Sequence, residues 1–153
     1  MYGKSRKVIK MREIKFRGKR KDNGKWVYGF YIYRLLGKKQ KEHEHLIACN
    51  EDEGELRFYE VIPETVGQYT GLKDKNGIEI YEGDIVVGTT YKEPIVLRTK
   101  TRCIGVVKMD IEMWAKWKIP DEFRTYPLLR EDKDIEVIGN VYENLGLLEE
   151  VKK

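Results

Sequence analysis

A turn-and-strand unit near the middle of the chain constrains the fold most: Thr70-Gly71-Leu72-Lys73-Asp74-Lys75-Asn76-Gly77, running into Tyr81-Glu82-Gly83-Asp84-Ile85-Val86. Asp74 stands at the first position of a turn, with Asn76 and Gly77 at its end. Aspartate and asparagine bond their own main chain and tolerate left-handed backbone, while glycine adopts positive φ at no steric cost. A type I turn closing through a left-handed Gly77 is predicted. Ile78, Ile80 and Tyr81 resume a strand, Glu82-Gly83-Asp84 bends the chain again, and Ile85-Val86-Val87 forms a short apolar strand. A glycine–aspartate step into β-branched residues is common where a chain enters a small barrel.

The N-terminal part repeats this chemistry. Ile14 and Phe16 share one parity and Glu13, Lys15 and Arg17 the other, which predicts a strand with an apolar side inward and a basic side outward. Gly18 and Lys21-Asp22-Asn23-Gly24 signal a turn. Trp26-Val27-Tyr28-Gly29-Phe30-Tyr31-Ile32-Tyr33 is rich in aromatic and β-branched residues that suit a pleated surface, so the pair reads as a hairpin. Lys-Asp-Asn-Gly before Tyr28-Gly29 echoes Lys-Asp-Lys-Asn-Gly before Tyr81 and Gly83, as one hairpin chemistry used twice rather than a duplication.

Further strands are expected at Leu46-Ile47-Ala48-Cys49, over residues 56–62 before Pro63, over 104–109 with a bulge at Gly105, over 113–119, and over 135–142. Residues 38–44 read as a charged loop, 51–55 as an acidic turn, 88–102 as a long hairpin or loop, and 121–130 as irregular. Leu145, Leu148 and Val151 fall three apart and predict a short C-terminal helix. No long helical period occurs. The expected fold is mainly β, with short antiparallel strands and hairpins forming a small barrel or sandwich. An SH3-like barrel in the C-terminal part is one form this can take. Residues 11–153 make one β domain, divisible into 11–65 and 66–153, behind a fraying extension at 1–10.

Residues 1–25 hold eleven Lys or Arg against Glu13 and Asp22, a charge of +9; with a net charge of +4, the rest of the chain carries −5. A basic arm on an acidic body can meet nucleic-acid phosphates, an acidic partner or a second copy, or simply keep the chain in solution. No run approaches about 20 apolar residues, which predicts no membrane span, and the basic N-terminus lacks the apolar stretch of a secretory signal. Cys49 and Cys103 are expected as free thiols in a reducing bacterial cytoplasm.

The segments that carry these signals also resemble the YopX family of phage and prophage proteins. The resemblance lies in Met11-Arg12-Glu13-Ile14-Lys15-Phe16-Arg17-Gly18-Lys19, in Trp26-Val27-Tyr28-Gly29, and in Val66-Gly67-Gln68-Tyr69 with the Thr70–Gly77 turn. It continues through Ile80-Tyr81-Glu82-Gly83-Asp84-Ile85-Val86 and Ile138-Gly139-Asn140-Val141-Tyr142-Glu143-Asn144. It runs from Met11 to the C-terminus; residues 1–10 depart from the pattern, as an upstream start codon or an added segment would. The resemblance implies a β-rich fold and a phage or prophage setting, and it supplies no catalytic residues to carry over.

Candidate chemistry is sparse. His43-Glu44-His45 is the one ligand-like cluster. On a strand both histidines would share a face, with Cys49 or Glu42 as a third ligand, but the lysines and glutamates around them equally describe a charged loop, and no metal or other cofactor is assigned. Glu82 and Asp84 flank Gly83 and could act as acid and base, yet such residues commonly cap turns, and no nucleophile or phosphate-loop motif accompanies them. No catalytic residue is assigned. Gly71, Asp74, Asn76, Gly77, Gly83 and Asp84 are read as a structural turn motif. Arg12, Lys15, Arg17, Lys19, Arg20 and Lys21, just upstream of Trp26, Tyr28, Tyr31 and Tyr33, form the candidate nucleic-acid-binding stripe: cations for phosphates and aromatics for stacking on unpaired bases. The expected function is that of a non-catalytic phage accessory protein binding a host or phage protein or itself, with nucleic-acid binding through the basic hairpin as the alternative.

Overall fold

The computed structural model describes residues 13–37, 42–50, 54–92, 99–109, 115–118, 125–127 and 134–149. The N-terminal extension, Arg12, the loops around Lys41, Glu51 and Pro94, and the predicted strand residues Met113 and Trp114 lie outside them. The described chain forms β1 (Phe16–Lys19), β2 (Trp26–Leu36), β3 (Glu42–Asn50), β4 (Leu56–Glu60), β5 (Gly67–Lys73), β6 (Glu79–Tyr81), β7 (Asp84–Lys92), β8 (Thr99–Met109), β9 (Ala115–Lys118), β10 (Thr125–Pro127) and β11 (Glu136–Asn140). They build two antiparallel sheets, ordered β4-β3-β2-β1-β5-β6 and β10-β9-β8-β7-β11. Mainly β architecture is therefore what the chain adopts, in sandwich form. Neither sheet closes into a barrel among the described residues, so the SH3-like alternative gives way to an open five-stranded sheet.

Local chemistry places the turns. Lys19 stands opposite Trp26 across the first hairpin, where Gly24 N donates to Arg20 O at 3.0 Å and Lys25 N to Asn23 Oδ1 at 3.0 Å. The first sheet then curls. Val61, just past β4, bridges Arg20, just past β1, with Lys21 N donating to Glu60 O at 3.0 Å and Ile62 N to Lys19 O at 2.8 Å. Ile47 and Val61 are fully buried inside the curl. A Cβ on Gly29 would lie 2.0 Å from the Ala48 carbonyl oxygen, so only glycine lets β2 and β3 sit this close.

The second sheet carries the main core: Val86, Cys103, Val107, Ala115, Trp117 and Ile135, joined by Ile80 from β6. Burying each large apolar side chain contributes roughly 1.5–3 kcal/mol. Residues 88–92 and 99–102 continue β7 and β8 in unbroken register, and residues 93–98 between them lie outside the described residues. The bulge expected at Gly105 falls instead in β11, between Val137 and Gly139. Gly105 serves close packing, because a Cβ there would lie 2.9 Å from the Trp117 ring. Of the short C-terminal helix expected over 145–151, the described residues show one 3-10 turn, Leu145–Leu148, and Val151 lies outside them. The sheets divide at Glu82-Gly83, so residues 66–81 lie with the first sheet.

One reading of faces is reversed. Ile14 is 57% exposed, whereas Arg17 is buried. Burial does not alternate along β1, where Arg17 and Gly18 are both buried between half-buried Phe16 and Lys19, and the side bearing Arg17 meets Asp84 of the second sheet. His43 and Glu44 lie within β3 rather than in a loop. Among the described residues no helix is long and apolar enough to cross a membrane.

Candidate functional site

The basic stripe meets carboxylates at each described position. Lys15 Nζ lies 2.7 Å from Glu79 Oε2 and Lys19 Nζ 3.0 Å from Glu143 Oε1. Arg20 grips Asp22, with Nε 2.9 Å from Oδ1, and its guanidinium stacks 3.9 Å from the Tyr59 ring centroid. Lys21 pairs with Glu60. Arg17 pairs with Asp84. Arg12 lies outside the described residues. These five cations thus stand against five anions, which leaves little net charge to draw phosphates. The aromatics downstream divide: Trp26 covers Arg17 at 4.8 Å, Tyr31 OH bonds His45 Nδ1 at 2.5 Å, and Tyr28 and Tyr33 remain exposed.

Arg17 and Asp84 form a buried charge pair between the sheets. Arg17 Nη2 lies 2.6 Å from Asp84 Oδ1, with side chains 8% and 1% exposed. Arg17 also donates to the Glu82 carbonyl at 3.3 Å, and its guanidinium lies between the rings of Trp26, at 4.8 Å, and Tyr81, at 5.0 Å. Asp84 Oδ2 accepts from Tyr81 N at 2.7 Å. Arg17 Nε and Asp84 Oδ1 make no hydrogen bond, so the contact is Coulombic rather than aligned. Burial pushes the Asp84 carboxyl above the usual range, opposed by the Arg17 charge and the Tyr81 amide. Burial likewise raises the Tyr81 and Tyr142 hydroxyls, Tyr81 further through its 2.7 Å bond to Glu79. Glu82, weighed with Asp84 as an acid–base pair, turns to accept from Met109 N at 3.4 Å. Asp84, with 1% of its side chain exposed, links the second sheet to the first through Arg17.

The turn motif has the geometry its residues ask for. Gly71, Gly77 and Gly83 have φ of 80°, 83° and 84°. Asp74 Oδ1 accepts from Asn76 N at 2.8 Å and Ile78 N at 2.9 Å. Its Oδ2 accepts from Val137 N at 3.1 Å, and Lys75 N donates to Ile135 O at 2.9 Å. The turn therefore also ties the first sheet to β11. Burial alone would raise the Asp74 carboxyl; these amide donors hold it below the usual range.

His43 and His45 share a face of β3, their rings 5.4 Å apart, with Tyr33 at 5.5 and 5.3 Å. No group of three or more His, Cys, Asp or Glu suited to a metal ion occurs among the described residues.

The residues that sequence reasoning passed over are apolar and uncovered. Phe30 is 64% exposed, and Phe58 and Leu56 are each 54% exposed. Phe30 lies opposite Ala48, and Ala48 opposite Phe58, so the three form one row across β2, β3 and β4 on a single face. Even-numbered apolar residues in both outer strands were the available signal; which part of that face the second sheet covers was not.

Two open antiparallel sheets, tied by a glycine bend, an aspartate-capped turn and a buried ion pair, define an all-β protein of two-sheet form. The chain belongs to the YopX family, whose model, described as YopX protein, matches residues 15–149. A solved structure similar to it is that of protein EF1440 from Enterococcus faecalis, at 22% identity and a TM-score of 0.48, over 90% of this chain and 99% of that one. Among curated proteins nothing matches.

Proposed function

We propose that this chain is a non-catalytic protein-interaction module of phage or prophage origin, acting through the uncovered part of the first sheet. The observation that supports it is the pair of exposed rings Phe30 and Phe58, set on either side of buried Ala48, with exposed Leu56 beside Phe58. Contiguous apolar surface of this kind marks contact sites, whereas scattered apolar residues do not. The ion-paired basic stripe argues against nucleic acid as the main ligand. The test is affinity capture from producing bacterial cells after nuclease treatment, with a Phe30→Ser/Phe58→Ser variant in parallel. Loss of bound protein is expected in the variant. An unchanged captured set, or capture that nuclease abolishes, would overturn the reading. Because both side chains are mostly exposed, the variant is expected to keep its stability within about 0.5 kcal/mol.

A further inference from the structure

We propose that a second copy of the chain adds its β2 to the open outer half of this β2, antiparallel, about a two-fold axis at Tyr33. The inference rests on the interaction-module reading, whose Phe30 it includes, and it names the partner.

β2 has a strand on each side over only part of its length. β1 pairs with Trp26–Gly29 and stops, while β3 runs on beside Phe30–Leu36. The directions of the backbone groups in that outer half follow from the ladder. Val61 N donates to His45 O at 2.9 Å, so His45 turns its N–H and C=O to the β4 side. Tyr33 lies opposite His45. Opposed residues in an antiparallel ladder are of one kind, so Tyr33 turns its own groups away from β3, and by alternation Tyr31 and Leu35 do the same. Among the described residues no strand pairs with Phe30–Leu36 on that side. The lead-in to β1 has turned away: Glu13–Lys15 lie in no strand, Ile14 is exposed, and Lys15 O accepts from Tyr69 N of β5 at 2.8 Å. Open edges are normally blunted by proline, lysine, a bulge or a cover. Phe30-Tyr31-Ile32-Tyr33-Arg34-Leu35-Leu36 has no proline or lysine and an unbroken register with β3, and Phe30, Tyr33 and Leu35 are exposed.

The length of the opening selects the register. Paired residues must both turn their backbone groups to the shared edge, so a two-fold axis passes through a residue. The opening is bounded by Gly29, which β1 already holds, and by Gly37, whose φ of 76° ends the extended backbone. Its centre is Tyr33. An axis there sets Tyr31 against Leu35 of the second copy and Tyr33 against Tyr33, each pair exchanging two backbone hydrogen bonds, with Phe30 against Leu36. An axis at Tyr31 or Ile32 would carry the second strand onto Gly29 and into β1. One at Arg34 would oppose two arginines, and one at Leu35 would run onto Gly37. In the Tyr33 register Arg34 meets Ile32 and keeps its own partner, Glu44. Aromatic side chains then face aliphatic ones across the edge, a favourable cross-strand pairing. A strand that matches itself in this way fits the isologous contact of a two-fold dimer. The shared edge is short, so the dimer forms and dissociates with concentration.

Light scattering and amide hydrogen exchange, from micromolar to millimolar chain, test this. The mass rises toward that of a dimer, and the Tyr31, Tyr33 and Leu35 amides become protected over the same range. Tyr33→Lys and Tyr33→Glu each set like charges face to face on the axis and weaken association roughly fivefold or more. An equimolar mixture of the two variants associates more tightly than either alone, which two merely damaged surfaces would not do. A chain that stays monomeric, or a mixture no tighter than its components, would overturn the self-docking. So would amides protected equally at every concentration, the mark of an edge held from within the same chain. If the Phe30→Ser/Phe58→Ser variant still loses captured protein in that event, the broader interaction reading stands alone.

Discussion

Arg17 of β1 and Asp84 of β7 meet at 2.6 Å across the junction of the two sheets, each with less than a tenth of its side chain exposed. Removing either partner leaves the other charge buried without its counterion, a loss of roughly 3–5 kcal/mol. Arg17→Met and Asp84→Leu should each lower the unfolding free energy measured by urea titration by that amount. The double replacement, with apolar groups of similar size, should recover most of it. Equal losses in singles and double would show that the pair does not act as a unit.

The two buried carboxylates give opposite pH dependences. The Asp74 carboxyl is held down by amide donors. Its stabilisation is therefore present above the ordinary aspartate value of 3.8 and is lost as pH falls through the folded value below it. The Asp84 carboxyl is raised by burial, so its contribution is full below the ordinary value and declines as pH rises through the folded one. Asp74→Asn should flatten the acid limb of a stability–pH curve, and Asp84→Asn should flatten the decline above it. Chemical denaturation at a series of pH values checks both signs.

Gly83 and Gly24 both have positive φ, at 84° and 69°. A Cβ at Gly83 would lie 2.9 Å from Tyr142 Cε2, whereas one at Gly24 meets nothing within 4 Å. Gly24→Ala should cost only the left-handed backbone penalty, roughly 1–2 kcal/mol. Gly83→Ala should cost more, and Tyr142→Ala in the same chain should relieve the excess. Thermal melts of the three variants separate backbone strain from collision.

The ion pairs of the basic hairpin predict that its lysines add little to nucleic-acid retention. Lys19→Ala/Lys21→Ala should leave gel shifts with single- and double-stranded DNA and RNA unchanged at low salt. A marked loss, with a shallower salt dependence, would return the hairpin to the nucleic-acid reading.

The amino-acid sequence by itself determined the turns, most of the strands and the family. The residues at Asp74-Lys75-Asn76-Gly77, Lys21-Asp22-Asn23-Gly24 and Glu82-Gly83-Asp84 carry local chemistry that few other conformations satisfy. The Asp74–Gly77 and Glu82–Asp84 turns also lie within the segments that resemble the family.

Tertiary structure alone decided which face of each strand is covered. Alternation along β1 gives a period of two but no direction, and Arg17 points inward because Asp84, Trp26 and Tyr81 are waiting there. The order of the sheets left Phe30, Leu56 and Phe58 uncovered at one end while burying residues of equal hydrophobicity at the other. Pairings between distant strands fix these outcomes, and a one-residue shift in any of them exchanges inside for outside. The central turn shows both halves of that division. Its shape follows from Asp74, Asn76 and Gly77, whereas its second task, tying the first sheet to β11 through Val137, exists only once the two sheets have met.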